Sequence, residues 1–255
     1  MDARMIHPEL DGNSFYLSSS RQGVLLLHGF TATTVEVRPM AEALFASGYS
    51  VSAPLMPGHG VNPEEMNQIS WKDWVASAEA ACLELSARCE QVVVMGESMG
   101  GLLALNLAAH HPELNGVVLF APALSINGLA KSRIARWFVK TTPKKYLAEG
   151  ASTEIFPWQG YSVVPVGGAA QLFALQKETK KILGKIQQPA LIFQGRKDRT
   201  INPHSSEWVL QGIASKDKEL IDLEKSGHCI LLDCEFDAVK LRTLQFLEGA
   251  FSGRI

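Results

Sequence analysis

The stretch QVVVMGESMGG, residues 91–101, places a serine between glycines directly after an apolar run. The run is β-branched and apolar in the manner of a buried strand, and the Ala- and Leu-rich segment 102–112 that follows has the composition of a helix. In this strand–turn–helix context, the pattern G-x-S-x-G presents a serine hydroxyl at a sharp turn. Its glycines, Gly96 and Gly100, lack a Cβ atom and so let strand and helix approach closely. Ser98 is therefore the candidate nucleophile.

The same alternation of apolar strand signals and helical patterns continues on both sides of this turn. Strands are predicted at 23–28, 49–54, 91–96, 116–122, 189–195 and 219–224, and helices at 34–47, 70–88, 98–110, 204–213 and 235–251. Apolar strands joined by helices predict an α/β fold with a mostly parallel central sheet flanked by helices.

One interruption separates two strand signals by much more than the short crossover expected in such a fold. We predict that residues 123–188 form an inserted cap, and that residues 1–122 and 189–255 form the main domain.

Composition excludes several classes of protein. The 255 residues carry a formal net charge of −2, so there is no basic field to bind nucleic acid. The N-terminus lacks an apolar leader segment and no stretch is long enough to span a membrane, which predicts a cytoplasmic protein. The four cysteines lack the C-x-x-C spacing of zinc or redox sites, so we expect reduced, mostly buried thiols. We expect no metal, because the histidines lack ligand spacing, and no cofactor.

A serine hydroxyl is a weak nucleophile at neutral pH and needs a histidine base. Downstream of Ser98, His110 and His111 lie on or just past the helix that follows the serine. His204 lies at a predicted helix start, whereas His228 lies in a loop after the last strand signal, preceded by a glycine. We predict His228 as the base and keep His204 as the alternative.

The histidine in turn needs a carboxylate at the C-terminal end of a sheet strand. Asp198 lies just past the strand residues 190–194, in a turn marked by Gly195, and precedes His228 in the chain. The alternatives are Asp217, in a polar turn, and Asp222 and Glu224, within or at the edge of a strand, which are typical of solvated or structural acids. We predict Asp198 as the acid.

Negative charge that develops on a carbonyl oxygen requires preorganised N–H donors. Met99 follows the candidate nucleophile, and the loop after the first core strand reads LLLHGFTAT, residues 25–33. We predict the backbone N–H groups of Met99 and Phe30 as oxyanion donors, with His28 holding the loop by hydrogen bonds.

The chain resembles α/β-hydrolases, and more narrowly small bacterial carboxylesterases and monoacylglycerol lipases. The matching segments are VLLLHGFTAT, GYSVSAPLMPGHG, SWKDWV, GESMGGLLAL, PALIFQGRKDRTINP and KSGHCILLD. The resemblance implies ester hydrolysis through an acyl-enzyme, with Ser98, Asp198 and His228 as triad and a small-molecule ester as substrate. Glu97 departs from the family, whose members often have an apolar residue there. His59, in PGHG, matches a family turn with a scaffold role.

We expect the predicted cap to determine substrate specificity. Ala130, Ile134, Trp137 and Phe138 fall on one helical face that either roofs an acyl pocket or packs on the main domain, so Trp137 and Phe138 are candidate substrate-binding residues. This apolar character favours short- to medium-chain acyl esters, monoacylglycerols among them. A second apolar run, 167–176, predicts a short helix facing the cleft.

The same region is basic, and two interpretations of that charge stay open. Its cations are Lys131, Arg133, Arg136, Lys140, Lys144 and Lys145. A basic helix that carries Trp and Phe predicts weak contact with a lipid interface, and the alternative is a solvated helix edge.

Other functions fit the same fold. A haloalkane dehalogenase is disfavoured because it would have aspartate at position 98. An aminopeptidase would need acids in the cap, where Glu149, Glu154 and Glu178 are scattered. An amidase, a perhydrolase and a non-catalytic binding protein remain alternatives, and the sequence indicates no oligomeric state.

Overall fold

The computed structural model describes residues 2–144 and 154–253. Its strands are β1 (Met5–Ile6), β2 (Phe15–Leu17), β3 (Gln22–Leu27), β4 (Ser50–Ala53), β5 (Gln91–Glu97), β6 (Gly116–Phe120), β7 (Thr141–Pro143), β8 (Gly160–Tyr161), β9 (Val163–Pro165), β10 (Ala190–Gly195) and β11 (Lys218–Leu223). Seven of them form the central sheet in the order β11-β10-β6-β5-β3-β4-β2. All its pairings are parallel except that of β2 with β4. The predicted fold class is confirmed.

Helices cover the two faces of this sheet. They are α1 (Arg38–Ala46), α2 (Pro63–Met66), α3 (Trp71–Ser86), α4 (Met99–His110), α5 (Ser132–Ala135), α6 (Val166–Ile182), α7 (Ser205–Gly212) and α8 (Phe236–Ser252). Short 3-10 turns at Thr34–Val37 and Ile230–Leu232 follow β3 and the loop after β11. Within the described ranges, no helix is long and apolar enough to cross a membrane.

The hydrophobic core lies on both faces of the central strands. Every residue of β6 and β10 is buried, as the apolar runs VVLF in β6 and ALIF in β10 predict. The rings of Phe120 and Phe193 stack with centroids 5.5 Å apart across this pair. Because the strands are parallel, the loops after β3, β5, β10 and β11 leave the same edge of the sheet. That edge carries the candidate site.

One edge strand of the sheet, β2, has no strand signal in the sequence. β2 is only three residues long and half-buried, and it pairs antiparallel to β4, with Phe15 opposite Ala53. A strand this short shows too few residues for its alternation to stand out.

The stretch 123–188 contributes α5, β7, β8, β9 and α6 to the described structure. Its C-terminal half is bonded to the main domain: β8 pairs with β1, and the backbone N–H of Tyr161 donates to the carbonyl of Thr31 at 3.0 Å. Lys145 and Glu149 lie outside the described residues. That 123–188 acts as a cap stays a prediction.

The prediction of one continuous helical face over residues 130–138 is wrong, because the α-helix there is shorter. Only α5 is α-helical there, after a 3-10 turn at Leu129–Lys131 that begins at Gly128, whose φ of 76° lies in the left-handed region. Like charges at close spacing oppose a longer helix in this basic segment. The second predicted helix exists and is longer than expected, running from Val166 to Ile182.

Candidate active site

Ser98 occupies a strained turn between β5 and α4. Its φ of 56° and ψ of −111° are unfavourable for a residue with a side chain. A Cβ atom on Gly96 would lie 2.2 Å from the carbonyl of Gly100, and one on Gly100 would lie 1.9 Å from the carbonyl oxygen of Leu27. Both glycines are therefore required sterically, and the turn holds the hydroxyl at the N-terminus of α4.

The structure brings Ser98, His228 and Asp198 together at the C-terminal edge of the sheet. His228 Nε2 lies 2.9 Å from Ser98 Oγ, and His228 Nδ1 lies 2.7 Å from Asp198 Oδ2. Because an ionised carboxylate only accepts hydrogen bonds, Nδ1 carries the proton and donates to Asp198. Nε2 is then free to accept the proton of the serine hydroxyl. This geometry is that of a nucleophile, a base and an orienting acid.

Asp198 is held in its ionised form. Burial alone would raise its pKa, but the charge and hydrogen bond of His228 and the backbone N–H groups of Thr200 and Ile201 lower it below the usual range. Those N–H groups donate to Oδ1 at 2.7 and 3.2 Å, respectively. Gln194 adds a donor to Oδ2 at 3.4 Å and is itself fixed by the Ser206 hydroxyl, a contact that no sequence motif indicates.

His228 is a stronger base than an ordinary histidine. Burial would lower its pKa, but the charge and hydrogen bond of Asp198, helped by the charge of Glu36, raise it above the usual value. Its side chain is 16% exposed, whereas that of Asp198 is only 1% exposed. The base thus faces the open side of the site and the acid lies behind it.

The loop after β3 contains the proposed oxyanion donor Phe30, and His28 fixes that loop. The backbone N–H of Met56 donates to His28 Nε2 at 3.0 Å, so the proton of this buried, neutral ring lies on Nδ1. Nδ1 lies 2.9 Å from the carbonyl oxygen of Gly29 and donates to it. Burial lowers the pKa of His28 to about 4, which keeps the ring neutral.

This bond also sets the direction of the Phe30 N–H. The carbonyl of Gly29 and the N–H of Phe30 belong to one trans peptide unit and point in opposite directions. A Cβ atom on Gly29 would lie 3.3 Å from Ser98 Cβ, so the loop borders the nucleophile. Met99 is the first residue of α4, where backbone N–H groups have no partner within the helix. The oxyanion role of Phe30 and Met99 stays a proposal.

His59 has the scaffold position that its motif predicted. It is 1% exposed, and its ring contacts those of His28 and Trp74, with centroids 4.9 and 6.0 Å away. Burial holds its pKa well below the usual value. The neutral ring packs beneath the loop that carries Phe30, whose ring centroid is 6.3 Å away.

The alternative histidines and acids have other partners. His204 is exposed and lies 3.1 Å from Glu207, and His111 lies between Glu79 and Glu113. Asp222 is exposed and forms an ion pair with Arg196 at 2.6 Å, and Asp217 and Glu224 are exposed as well.

Glu97 is fully buried beside the nucleophile. The backbone N–H of Leu231 donates to its Oε1 at 3.2 Å, and Oε2 has no hydrogen-bond partner among the described residues. Burial, with the nearby charge of Glu36, raises its pKa well above the usual value, which favours the neutral carboxyl group. Through its bond to Leu231, Glu97 links the serine turn to the loop that follows His228.

The candidate substrate-binding residues of the insert face solvent. Trp137 is 73% and Phe138 84% exposed. Trp137 lines a surface cavity of about 390 Å³ between α5 and α6 together with Arg133, Arg136 and Phe173. Contact of Trp137 and Phe138 with substrate stays a prediction. Gly168, in the first turn of α6, lies instead against the Phe30 ring, so the second apolar run reaches the loop that carries Phe30.

Comparisons with known proteins identify the family of this chain. The family model described as Serine aminopeptidase, S33 (Hydrolase_4) matches residues 18–235. A thermostable monoacylglycerol lipase of Bacillus sp. (strain H-257) is 36% identical over 252 residues, 94% of this chain and 96% of that protein. A carboxylesterase of Bacillus subtilis (strain 168) is 29% identical, over 92% of this chain and 95% of its own.

Solved structures have the same fold. One reported with the metagenome-derived lipolytic enzymes LipS and LipT superimposes with a TM-score of 0.87 at 33% identity, covering 93% of this chain and 97% of that one. The monoacylglycerol lipase of Paleococcus ferrophilus superimposes with a TM-score of 0.76 at 19% identity, covering 94% of this chain and 100% of its own. The chain belongs to the Serine aminopeptidase, S33 (Hydrolase_4) family and is an α/β-hydrolase of the esterase and lipase type.

Proposed function

We propose that this protein is a serine carboxylic-ester hydrolase that acts on short- to medium-chain acyl esters, monoacylglycerols among them, through an acyl-enzyme. The observation that carries the proposal is the hydrogen-bonded series Ser98, His228 and Asp198 at the strained turn after β5. The names of the two curated relatives, a monoacylglycerol lipase and a carboxylesterase, support an ester as substrate.

In the first half-reaction, Ser98 Oγ attacks the carbonyl carbon of the ester while His228 Nε2 takes the hydroxyl proton. Asp198 stabilises the imidazolium that forms, and its hydrogen bond to Nδ1 keeps the ring in the productive orientation. The carbonyl oxygen becomes an oxyanion, for which the N–H groups of Phe30 and Met99 are the proposed donors. The C–O bond then breaks, and His228 returns the proton to the leaving alcohol.

In the second half-reaction, water replaces the alcohol. His228 removes a proton from water as its oxygen attacks the acyl carbon, and the same donors stabilise the second oxyanion. Breakage of the bond to Ser98 Oγ releases the carboxylic acid and restores the hydroxyl. Every proton that moves passes through His228 Nε2, so the proposal requires no further acid or base.

Initial rates on p-nitrophenyl esters of increasing acyl length, with Ser98→Ala beside the wild type, test the reaction. Hydrolysis that depends on chain length and is abolished by S98A is the expected result. Equal rates in both proteins would contradict the assignment of Ser98. Glycerol release from monoacylglycerols, compared with the matching ethyl esters, tests the substrate class, and esters turned over without any monoacylglycerol activity would remove that class.

Because the matching family is described as Serine aminopeptidase, S33, peptide-like substrates should be tested beside the esters. Of the acids in the insert, Glu178 pairs with Lys181 at 2.7 Å, Glu154 pairs through its backbone with Asp233, and Glu149 is not described. This arrangement offers little support for recognition of a substrate ammonium group. Amino-acyl p-nitroanilides turned over faster than esters would favour the aminopeptidase function.

We also propose that the insert contacts anionic lipid. The segment 129–140 has four cations and no acid, and Ile134, Trp137 and Phe138 are all more than 70% exposed. Exposed aromatic side chains among cations suit a negatively charged lipid surface. Co-sedimentation with phosphatidylglycerol vesicles, and its loss in the double variant Trp137→Ser/Phe138→Ser, is the expected result. Equal sedimentation of both proteins would contradict the proposal.

A further inference from the structure

We propose that Trp158, a residue of the insert, is a positioning residue for the oxyanion hole and acts through Glu36. This inference rests on the proposed function, because it concerns the same reaction. Trp158 Nε1 donates to Glu36 Oε1 at 3.1 Å, and the backbone N–H of Gly29 donates to Glu36 Oε2 at 2.5 Å. Gly29 directly precedes Phe30, the proposed donor. The insert is thereby connected to the oxyanion loop by one carboxylate.

Glu36 is unusual because it is a carboxylate inside the protein that takes no part in the proton transfers. It is 4% exposed, and each of its oxygens accepts one N–H bond. Burial raises its pKa, and the Gly29 and Trp158 donors, with the charges of His228 and Lys144, oppose that rise. If the Trp158 donor is lost, the balance shifts toward protonation, and a protonated Glu36 is a weaker acceptor for Gly29.

A second contact from the insert reaches the other side of Phe30. Lys144 Nζ donates to Thr31 Oγ1 at 2.5 Å and lies 4.3 Å from the centroid of the Trp158 ring. Thr31 has a φ of 68°, which is unfavourable for a β-branched residue. Burial lowers the pKa of Lys144 to about 7, and the amine donates to Thr31 whether charged or neutral. The sequence placed Lys144 in a basic surface run, whereas the structure buries it.

Backbone hydrogen bonds on both sides of Trp158 fix its position relative to the site. Within the segment 154–161, Ile155 N–H donates to the carbonyl of Leu232 at 2.7 Å, beside the His228 loop. On the other side of Trp158, the carbonyl of Gln159 accepts from Thr33 N–H at 3.2 Å. Trp158 thus lies between two anchored points, and its indole has little freedom to leave Glu36.

The test compares Trp158→Phe, which removes the N–H and keeps an aromatic ring, with the wild type on a pair of substrates. The pair is p-nitrophenyl butyrate and its thionoester, in which sulfur replaces the carbonyl oxygen. Sulfur accepts hydrogen bonds weakly, so the thionoester reports catalysis with little help from the oxyanion hole. Trp208→Phe, at a partly exposed tryptophan of α7, is the matched control. Rates are measured well below the Tm of every variant.

We expect W158F to reduce kcat for the oxygen ester roughly tenfold, a fraction of the loss caused by removing an oxyanion donor outright. KM should change less than twofold, and kcat for the thionoester should change little. The ratio of kcat for the oxygen ester to kcat for the thionoester therefore falls. W208F should leave the ratio at the wild-type value. An equal loss on both substrates, or an unchanged ratio in W158F, would overturn the inference and assign Trp158 a structural role only.

The double variant Glu36→Gln/Trp158→Phe tests whether the effect passes through Glu36. If it does, E36Q alone lowers the ratio and the second substitution adds nothing further. Two fully additive effects would overturn the inference. S98A separates failure of this inference from failure of the proposed function. If S98A retains wild-type activity, the proposed function fails. If S98A is inactive and the ratio in W158F equals that of the wild type, only the role of Trp158 is refuted.

Discussion

Asp233 Oδ2 accepts the backbone N–H of Gly227 at 2.6 Å. Gly227 precedes His228, so this buried carboxylate closes the loop that presents the proposed base to Ser98. Asp233 Oδ1 also accepts the N–H of Cys234 at 2.6 Å, which leaves both oxygens occupied. The loop is thus held by a side chain that never contacts the reacting atoms.

Asp233→Asn should therefore weaken catalysis without removing any proposed catalytic group. The amide retains one acceptor oxygen but brings an NH₂ group to one of the two backbone donors, which loosens the loop. We expect kcat to fall roughly tenfold, in line with the loss of a hydrogen bond to a charged group. Steady-state kinetics on p-nitrophenyl butyrate measure it, with Asp237→Asn, a mostly exposed acid of α8, as control. Wild-type kcat in D233N would show that the loop holds without this contact.

Asp198→Asn should change both the rate and its pH dependence. An amide cannot hold the proton on His228 Nδ1, so kcat should fall about 10⁴-fold. Asp198 and Glu36 raise the pKa of His228, and burial and Lys144 lower it. In the wild type, the pKa that governs the fall of kcat/KM at acidic pH therefore lies above the usual histidine pKa. In D198N the charge of Asp198 is lost, and this pKa moves to lower pH. The pH profiles of both proteins measure this, and an unmoved pKa would place the ionisation on another group.

His28 should matter through the carbonyl of Gly29. His28→Ala removes the donor that orients the Gly29–Phe30 peptide unit, and we expect kcat to fall roughly tenfold to a hundredfold, up to the loss of a whole oxyanion donor. His28→Asn retains an N–H near the position of Nδ1 and should recover part of the loss. Kinetics of the two variants at equal folded concentration distinguish these outcomes, and the same rate in both would contradict the orienting role.

Gly100→Ala tests the close approach of α4 to β3. The added Cβ atom would lie 1.9 Å from a backbone oxygen, and we expect the free energy of unfolding to fall by about 3 kcal/mol or more. Gly184→Ala is the matched control because no atom beyond its chain neighbours lies within 4 Å of its Cβ position, so it should be neutral or stabilise by about 0.4–1 kcal/mol. Urea unfolding measures both. Equal stability of the two variants would mean that the turn relaxes.

Glu97→Gln should reveal the raised pKa of Glu97 through the pH dependence of stability. The folded-state pKa is raised, so the stability that the protonated group supplies is complete below its unfolded value of 4.5 and is lost as pH rises through the folded value. Glutamine does not titrate. The Tm of E97Q relative to wild type should therefore increase between pH 5 and pH 8. Thermal unfolding across this range checks it, and a constant difference would show an unperturbed Glu97.

The sequence was informative where chemistry and spacing coincide. The serine turn, the loop histidine and the acid after a strand each have a local pattern, and the structure places His228 within hydrogen-bond distance of both Ser98 and Asp198. Apolar strand runs likewise predicted every long strand of the sheet.

Contacts between distant segments were not predictable in this way. Trp158 meets Glu36 across 122 positions of the chain, and neither residue belongs to a pattern that signals the other. Lys144 stands in a basic run that is typical of surface, yet the fold buries it against Thr31. Burial of a single charged residue depends on packing of remote elements, which periodicity does not record.

The anchoring of segment 154–161 bears on how substrate enters. Its backbone is bonded on one side to Leu232, next to the loop of His228, and on the other to Thr31 and Thr33, in the loop that carries Phe30. A movement that lifted this segment would break those bonds and disturb the two loops that carry the proposed catalytic groups. We therefore expect segment 154–161 to stay in place during turnover, and any opening of the predicted cap to occur elsewhere in 123–188.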